Sequence, residues 1–407
     1  MVDFRRGPIG PYFDRFASHL KDRGYSADSA KQILGKCCQF NAFLIEKQIA
    51  CVHQINEQLL DDFLDLYLLH TRTACLYSPR GDARRALKRL LEYLIQIKAL
   101  QPAKPKAAKT SYSWLLDPYL QHLRDECELS EVTIQRARVQ VGSFLAALRQ
   151  KAKRDHFKSL SAGTVESYVK QHLKDSPDNL SALASSLRRF FRYCVARGHA
   201  RIDFSGLIPS IRRYRHASLP KGMEDSALER TLNSIPKETP NGSRDYAMIL
   251  LMMAYGIRGI SAAELLLDDI DWQHSRLRIR AQKGGKEVQL PLLEPVGEAM
   301  IQYLRHRPDR TPFREVFLTT KAPFRPLTSV TISRVVRTYM EKAGVAAAGS
   351  GSRTLRHSWA IRALGHDSPI KAIADVLGHR YIDTTFIYAK ADLKSLREVA
   401  MPWPKKR

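Results

Sequence analysis

The chain has 407 residues and a mass of 46.3 kDa, enough for two or three domains around sizeable cores, which excludes a short peptide or a disordered segment. Its 66 Lys and Arg against 41 Asp and Glu give a formal net charge of +25 and a pI near 9.9, a positive field that favours a polyanionic partner, nucleic acid first. At 44% hydrophobic and 26% charged residues the composition is that of an ordinary globular protein, and the longest apolar run, Ala247 to Ile257, falls short of the roughly 18 residues a membrane span needs.

The six cysteines (Cys37, Cys38, Cys51, Cys75, Cys127 and Cys194) form no C-x-x-C pair and are too sparse for a disulfide framework, so they read as buried thiols of a reducing compartment. The opening MVDFRRGPIG has no apolar signal-peptide core, and a cytoplasmic protein is expected.

An internal repeat organises the first half. Residues 12–100 and 115–200 read as two copies: Asp14, His19 and Leu20 match Asp117, His122 and Leu123, and Phe40 falls opposite Phe144. Near the end of each, LKRLLEYL (Leu87 to Leu94) aligns with LRRFFRYC (Leu187 to Cys194). Apolar residues recur at three- and four-residue intervals, as at Ile134, Val141, Phe144, Leu145 and Leu148, so both copies are predicted all-α. The expected modules are residues 1–103 and 110–207, joined by the Pro-, Ala- and Lys-rich linker QPAKPKAAKT. A second linker, about Ser205 to Met223, carries Arg212, Arg213, Arg215 and Lys221, a basic strap suited to phosphates.

Residues 222–407 read as a mixed domain, mostly helical with a small antiparallel sheet. Two alternating runs in RLRIRAQKGGKEVQLPL (Arg276 to Leu292) flank Lys283-Gly284-Gly285-Lys286, a β-hairpin with lysines at its tip. The tail LKSLREVAMPWPKKR begins as a helix and ends with Trp403 between prolines, the kind of large apolar residue that docks elsewhere.

Four segments carry candidate chemistry. Arg258 lies between Gly256 and Gly259, with Ser261 and Glu264 predicted to form a capping box that starts the next helix. Arg353 and Arg356 are three apart and share a helical face if a helix starts near Ser352, giving fixed donors suited to phosphate oxygens. Ser368 as N-cap, Pro369 at the first helical position and Gly378 past the end delimit a helix that presents His379. A zinc site joining His357 and His379 is disfavoured, because neither cysteines nor closely spaced carboxylates accompany them. A further short helix starts at Asp383-Thr384-Thr385 and places Tyr388 one turn on.

In this order, over the 131 residues from Arg258 to Tyr388, these elements resemble the tyrosine recombinases, the family of phage integrases and of the bacterial enzymes that resolve chromosome dimers. The resemblance covers about Asp225 to Leu396. The two helical modules are more loosely similar to the family's arm-binding and core-binding, SAM-like domains.

The resemblance implies a site-specific recombinase that cleaves and rejoins double-stranded DNA through a covalent 3′-phosphotyrosyl intermediate, with no cofactor and no metal. It makes Arg258 and Arg356 the catalytic arginines, Lys283 the hairpin lysine, His379 the histidine of L-G-H, and Tyr388 the nucleophile. The family usually has histidine where Arg353 stands, and arginine does not lose its proton at neutral pH. Arg353 is then a further phosphate donor, and proton removal from Tyr388 falls to His379, to water or to no specific base. The cations around it are expected to make the Tyr388 hydroxyl more acidic, and Lys283 to protonate the leaving 5′-oxygen. Arg188, Arg189, Arg212, Arg213, Arg215 and Lys286 are expected on the DNA backbone. A homotetramer at synapsis, with or without sister recombinases, is the implied assembly, its tail packing into a neighbouring protomer. Type IB topoisomerase action and a DNA-binding accessory protein without catalysis are the alternatives.

Overall fold

The computed structural model describes residues 5–70, 79–101, 110–153, 157–175, 180–209, 222–281, 286–309, 311–346 and 350–389. The chain divides into two compact units, one made by residues up to 102 with those from 218 onward, the other by residues 103–217.

In the first unit the N-terminal part consists of α1 (Phe13–Asp22), α2 (Ala27–Glu46), α3 (Glu57–His70) and α4 (Pro79–Gln96). Ser26 caps α2 by accepting from the Ser29 N–H at 3.3 Å. Phe13, Phe16 and Leu20 of α1, Phe40 and Leu44 of α2, and Leu87, Leu90 and Leu94 of α4 fill one core. The second unit repeats the plan with α5 (Ser113–Asp125), α6 (Glu131–Leu148), α7 (Ala162–Asp175) and α8 (Leu180–Ala196). Ile134, Val141, Phe144, Leu145 and Leu148 all point into its core, as their spacing requires.

The duplication extends to side-chain contacts. Phe16 meets Tyr93 with ring centroids 5.3 Å apart, and the matching Tyr119 meets Tyr193 at 5.2 Å. His19 lies 4.8 Å from Tyr93, and His122 lies 5.0 Å from Tyr193. Each aromatic pair adds about 0.5–1.5 kcal/mol beyond burial, which is why the same ring positions recur in both copies.

The C-terminal part of the first unit holds α9 (Asp225–Asn233), α10 (Pro240–Tyr255), α11 (Gly259–Ala263), β1 (Ile270–Asp271), β2 (Arg276–Ile279), β3 (Val288–Pro291), α12 (Glu294–Leu304), α13 (Ser329–Lys342), α14 (Ser352–Gly365), α15 (Ile370–Val376) and α16 (Phe386–Ala389). The strands pair antiparallel in the order β1-β2-β3, with Leu277 opposite Leu290 and Ile279 opposite Val288. The hairpin is thus formed by the two runs read from the sequence, with β1 as an added edge. Lys283 and its two glycines lie outside the described residues.

Helix α10 is the centre of this part. Thr239 caps it by accepting from the Gly242 N–H at 3.0 Å, Pro240 occupies the first position, and Gly256, left-handed at φ +61°, ends it. Its Met248, Ile249, Leu251 and Met252 are sealed in the main core with Leu277, Met300, Phe317, Val336 and Leu355. The α1–α2 turn meets the loop before α13: Gly24, at φ +80°, leaves room for the Phe324 ring, which a Cβ would approach to 2.1 Å.

Two expectations need correction. Helix α11 begins at Gly259 with Arg258 as its N-cap, so Ser261 lies inside the helix, buried, and makes no capping box with Glu264. The left-handed Gly256 ends α10 so abruptly that only Ile257 and Arg258 separate the helices. Of the cysteines described, Cys37 and Cys194 are buried thiols, but Cys51 and Cys127 are exposed and all five are free. No helix among the described residues is long and apolar enough to cross a membrane.

A buried polar knot pins α10 to α13 and the loop before it. Arg244 donates to the Asp245 carboxylate at 2.8 and 2.6 Å and to the Leu318 carbonyl at 3.2 Å, while the Tyr339 hydroxyl donates to the other carboxylate oxygen at 3.2 Å. Burial pushes the Asp245 carboxyl up, against the pull of Arg244. An Asp245→Ala variant leaves a guanidinium sealed without a counter-charge and is expected to lose about 3–5 kcal/mol in urea denaturation, whereas Tyr339→Phe loses about 1 kcal/mol. A loss below about 1 kcal/mol for Asp245→Ala would remove the pair from this role.

Candidate active site

Four of the residues singled out in the sequence converge. Arg258, extended at φ −73° and ψ 149°, leaves the α10–α11 turn half-buried. Arg356 comes from α14, His379 from the turn after α15, and Tyr388 from α16. A recess beside them is lined by Arg258, Arg280, Lys286 and Arg356, with Leu377 and Gly378 as its apolar wall.

Arg356 is the best-anchored member. It is 7% exposed, and its two terminal nitrogens donate to the carbonyls of Gly256 and Leu377, both at 2.9 Å, and to His379 Nε2 at 2.6 Å. Burial, helped by Arg258, brings its pKa down to about 10, so it remains a cation at neutral pH. The receiving carbonyls are aimed by chain reversals. Gly378, at φ +62°, turns the backbone after α15, and the His379 N–H bonds the Ala374 carbonyl at 2.9 Å. This is the turn that the helix punctuation of the sequence predicts. The start of α15 is one residue later than expected, with Pro369 itself as N-cap.

His379 is buried and its tautomer follows from its partners. Arg356 can only donate, so Nε2 is the acceptor, and Nδ1 then carries the proton and gives it to Thr385 Oγ1 at 2.6 Å. Burial, then Arg356 and Arg258, lower its pKa to about 4. The imidazole is therefore neutral, with its one lone pair already used.

Tyr388 is 2% exposed. Its hydroxyl lies 3.0 Å from Nδ1 of His357, within the field of the Arg356 guanidinium. The pKa of this phenol is raised: burial outweighs the opposing pull of Arg356, Arg258 and Arg353. The expected acidification is thus reversed in the folded chain without DNA, because the desolvation of a phenolate in a closed pocket exceeds what three cations return. Tyr381, the other tyrosine nearby, is 63% exposed under the Arg380 guanidinium and touches none of this machinery.

Arg353 is exposed at the first turn of α14, three residues before the buried Arg356, so the two differ in role although they lie on neighbouring positions. Lys286 is exposed two residues before β3 and lines the recess. In the second unit Arg188 is half-buried and donates to the Ile208 and Pro209 carbonyls at 3.1 and 2.6 Å, and Arg189 lies close enough to oppose in part the burial that pushes the Tyr119 phenol up. Lys283, Arg212, Arg213, Arg215 and the tail with Trp403 lie outside the described residues.

Three residues of the site are not found by reading the sequence. His357 enters there only as a metal ligand, though its adjacency to Arg356 is an available signal. Arg280 follows β2 in the alternation Arg276, Arg278, Arg280. With Arg278 it contacts the sealed carboxylate of Asp269, at 2.8 Å for Arg278 and 3.0 Å for Arg280. Thr385, fully buried, has no sequence signal beyond its place three residues before Tyr388.

The phage integrase family profile matches residues 223–394, and the profile of the phage integrase N-terminal SAM-like domain matches residues 116–198. A Sinorhizobium fredii protein named integrase/recombinase y4rA is 32% identical over 401 residues, covering 98% of this chain and 95% of its own. The tyrosine recombinase XerC of Azotobacter vinelandii is 29% identical over 289 residues, covering 70% of this chain and 93% of its own. The fold is similar to that of a lambda integrase tetramer bound to a Holliday junction, with a TM-score of 0.53 at 15% identity over 74% of this chain and 85% of that one.

Acid should destabilise the fold through these imidazoles. Unfolded, a histidine takes up its proton near pH 6.5, whereas His379 in the fold resists until about pH 4 and His357 is lowered as well. Protons bind the unfolded chain preferentially in that window, so stability falls as the pH drops from about 6.5 towards 4. Thermal midpoints measured between about pH 7 and pH 5 should fall, and His379→Gln should flatten part of that fall; an unchanged slope would mean that His379 is protonated in the fold.

Proposed function

This chain belongs to the phage integrase family of tyrosine recombinases, and we propose that Tyr388 is the nucleophile with which it breaks and rejoins DNA strands at specific sites. The observation that carries this reading is the convergence of Arg258, Arg356, His379 and Tyr388 from four separate elements beside one cationic recess, which the two arginines line.

The chemistry follows from the residues. A phosphodiester drawn into the recess brings its negative charge to Arg258 and Arg356, which are already fixed and need little reorganisation. The Tyr388 oxygen attacks phosphorus as the 5′-oxygen departs, leaving a 3′-phosphotyrosyl link. That link conserves the energy of the broken bond, so a 5′-hydroxyl from another strand can displace the tyrosine without a nucleotide cofactor. Arg353, exposed on the first turn of α14, is assigned a further phosphate contact, and Lys283 the protonation of the leaving oxygen.

The assembly is read on the same footing. Residues 222–407 form the catalytic domain, and residues 1–103 and 110–207 are two related helical modules that hold DNA, with Arg189, Lys286 and the strap Arg212, Arg213 and Arg215 on its backbone. Arg188 serves differently, through the carbonyls of Ile208 and Pro209. Four protomers pair two sites, with the tail to Trp403 exchanged between neighbours, on nucleoid DNA and, where the element requires it, beside sister recombinases.

Incubation with sheared host DNA, denaturation and recovery of covalently attached fragments tests the nucleophile and locates the cleaved sequence in the same experiment. Wild type and Tyr381→Phe should yield adducts whose ends pile up on one short sequence, and Tyr388→Phe none while still binding DNA. Adducts from Tyr388→Phe would overturn the assignment. Arg356→Lys cannot keep three contacts in three directions and is expected to slow adduct formation by roughly 10²-fold or more; a loss below tenfold would show that the fork is dispensable.

A further inference from the structure

The tyrosine must lose a proton, and neither Arg353, which stands at the family's usual histidine position, nor His379 is free to take it. Arg353 is an arginine and remains charged. His379 spends its lone pair on Arg356 and its N–H on Thr385. What the Tyr388 hydroxyl meets instead is His357 Nδ1 at 3.0 Å, with the two rings 5.5 Å apart and inclined at 59°. His357 stands one turn along α14 from Arg353 and next to Arg356.

The direction of this hydrogen bond can be derived. Burial holds the Tyr388 phenol in its protonated form, and the Arg356 cation that acts on its oxygen has only protons to offer. The hydroxyl therefore has one proton to give, and His357 Nδ1 is the atom in line to accept it. The groups acting on His357 are Arg353 and Arg356 of its own helix and Tyr388 of α16; among the described residues no carboxylate does. Arg258 and His379 adjoin it through Arg356 and Tyr388. Burial and the two arginines keep the imidazole neutral at physiological pH, and a neutral ring that accepts at Nδ1 carries its own proton on Nε2.

We propose, on the reading of Tyr388 as nucleophile, that His357 is the general base of the cleavage step. In that step the Tyr388 O–H bond breaks and its proton moves to His357 Nδ1. The Oη–P bond forms, the P–O5′ bond breaks, and the departing oxygen takes a proton from Lys283. On rejoining, the 5′-hydroxyl returns a proton to that lysine as it attacks, and His357 gives its proton back to the leaving tyrosine. The imidazolium exists only between the two steps, beside Arg353 and Arg356, and its repulsion with them favours return of the proton.

The test uses full-length protein in single turnover on a duplex carrying the site found from the adducts, from about pH 5 to pH 8, with wild type, His357→Gln and His357→Ala. Gln keeps the size and a hydrogen-bonding oxygen but cannot take a proton. The wild-type rate should rise with pH and level off below about pH 6.5, whereas both variants should be slower by roughly 10²–10⁴-fold at neutral pH and lack that plateau. A second substrate with sulfur at the 5′-bridging position, whose thiolate leaves without protonation, should not rescue either variant, while imidazole added to His357→Ala should restore part of the rate. Retained binding of the duplex shows that the variants are folded.

Near-wild-type rates in His357→Gln would make the contact one of position, not proton transfer, and overturn the proposal. Rescue by the sulfur substrate would overturn it too, by moving the defect to the leaving group. Wild type that yields no adduct on any DNA would instead bring down the reading of Tyr388, and the base with it.

Discussion

The guanidinium of Arg356 is the point on which the C-terminal part of the first unit depends. A charge taken out of water costs several kcal/mol unless every donor finds an acceptor in good geometry. Here the acceptors are the carbonyl that ends α10, the carbonyl that ends α15, and a histidine two residues beyond. Satisfying one side chain thus fixes three segments that are far apart in sequence. The left-handed glycines at 256 and 378 are the backbone devices that let two helices stop where their last carbonyls face the same point.

Much of this is legible in the sequence because it is written in local patterns. The two helical copies can be aligned from Asp14, His19, Leu20 and the LKRLLEYL segment, and the matching rings do occupy matching places. Strands β2 and β3 follow from alternation and Gly378 from helix punctuation, and residues as distant as Arg258 and Tyr388 are found because their motifs come in a family's order. What local pattern cannot carry is occupancy: whether a lone pair is free or used. His379 and His357 look equally able to accept a proton in the sequence, and only the position of Arg356 separates them. The sign of the Tyr388 shift is hidden for a related reason, since residue types reveal neighbouring cations but not the depth of burial that opposes them. The capping box at Ser261 fails because α10 ends on a glycine two residues before the next helix begins, leaving no room for a longer lead-in.

The electrostatics of the recess are those of a site awaiting an anion. Arg258, Arg280, Lys286 and Arg356 line it, and the Asp269 carboxylate is sealed behind Arg278 and Arg280. Repulsion among these cations is held in place by the fold, through Asp269 on one side and backbone carbonyls on the other. A bound phosphodiester relieves it, so substrate binding and relaxation of the site favour each other. The same cations that oppose protonation of the histidines in the free chain would feel a weaker mutual field once that negative charge is present.

Tyr388 is packed with Ala360, Leu364, Ile373 and Leu377 in a small apolar cluster distinct from the main core that holds α10 and the sheet. Regions with few sealed apolar neighbours open at lower free energy than the core they lean on. Helix α16 follows the 3₁₀ turn Ile382–Thr384 and packs through this cluster on α14 and α15. Arg356 is tied through the Gly256 carbonyl to the end of α10 and so to the main core, whereas Tyr388 belongs to the smaller cluster. On the reading of Tyr388 as nucleophile, holding a strand and cutting it then rest on parts of unequal durability.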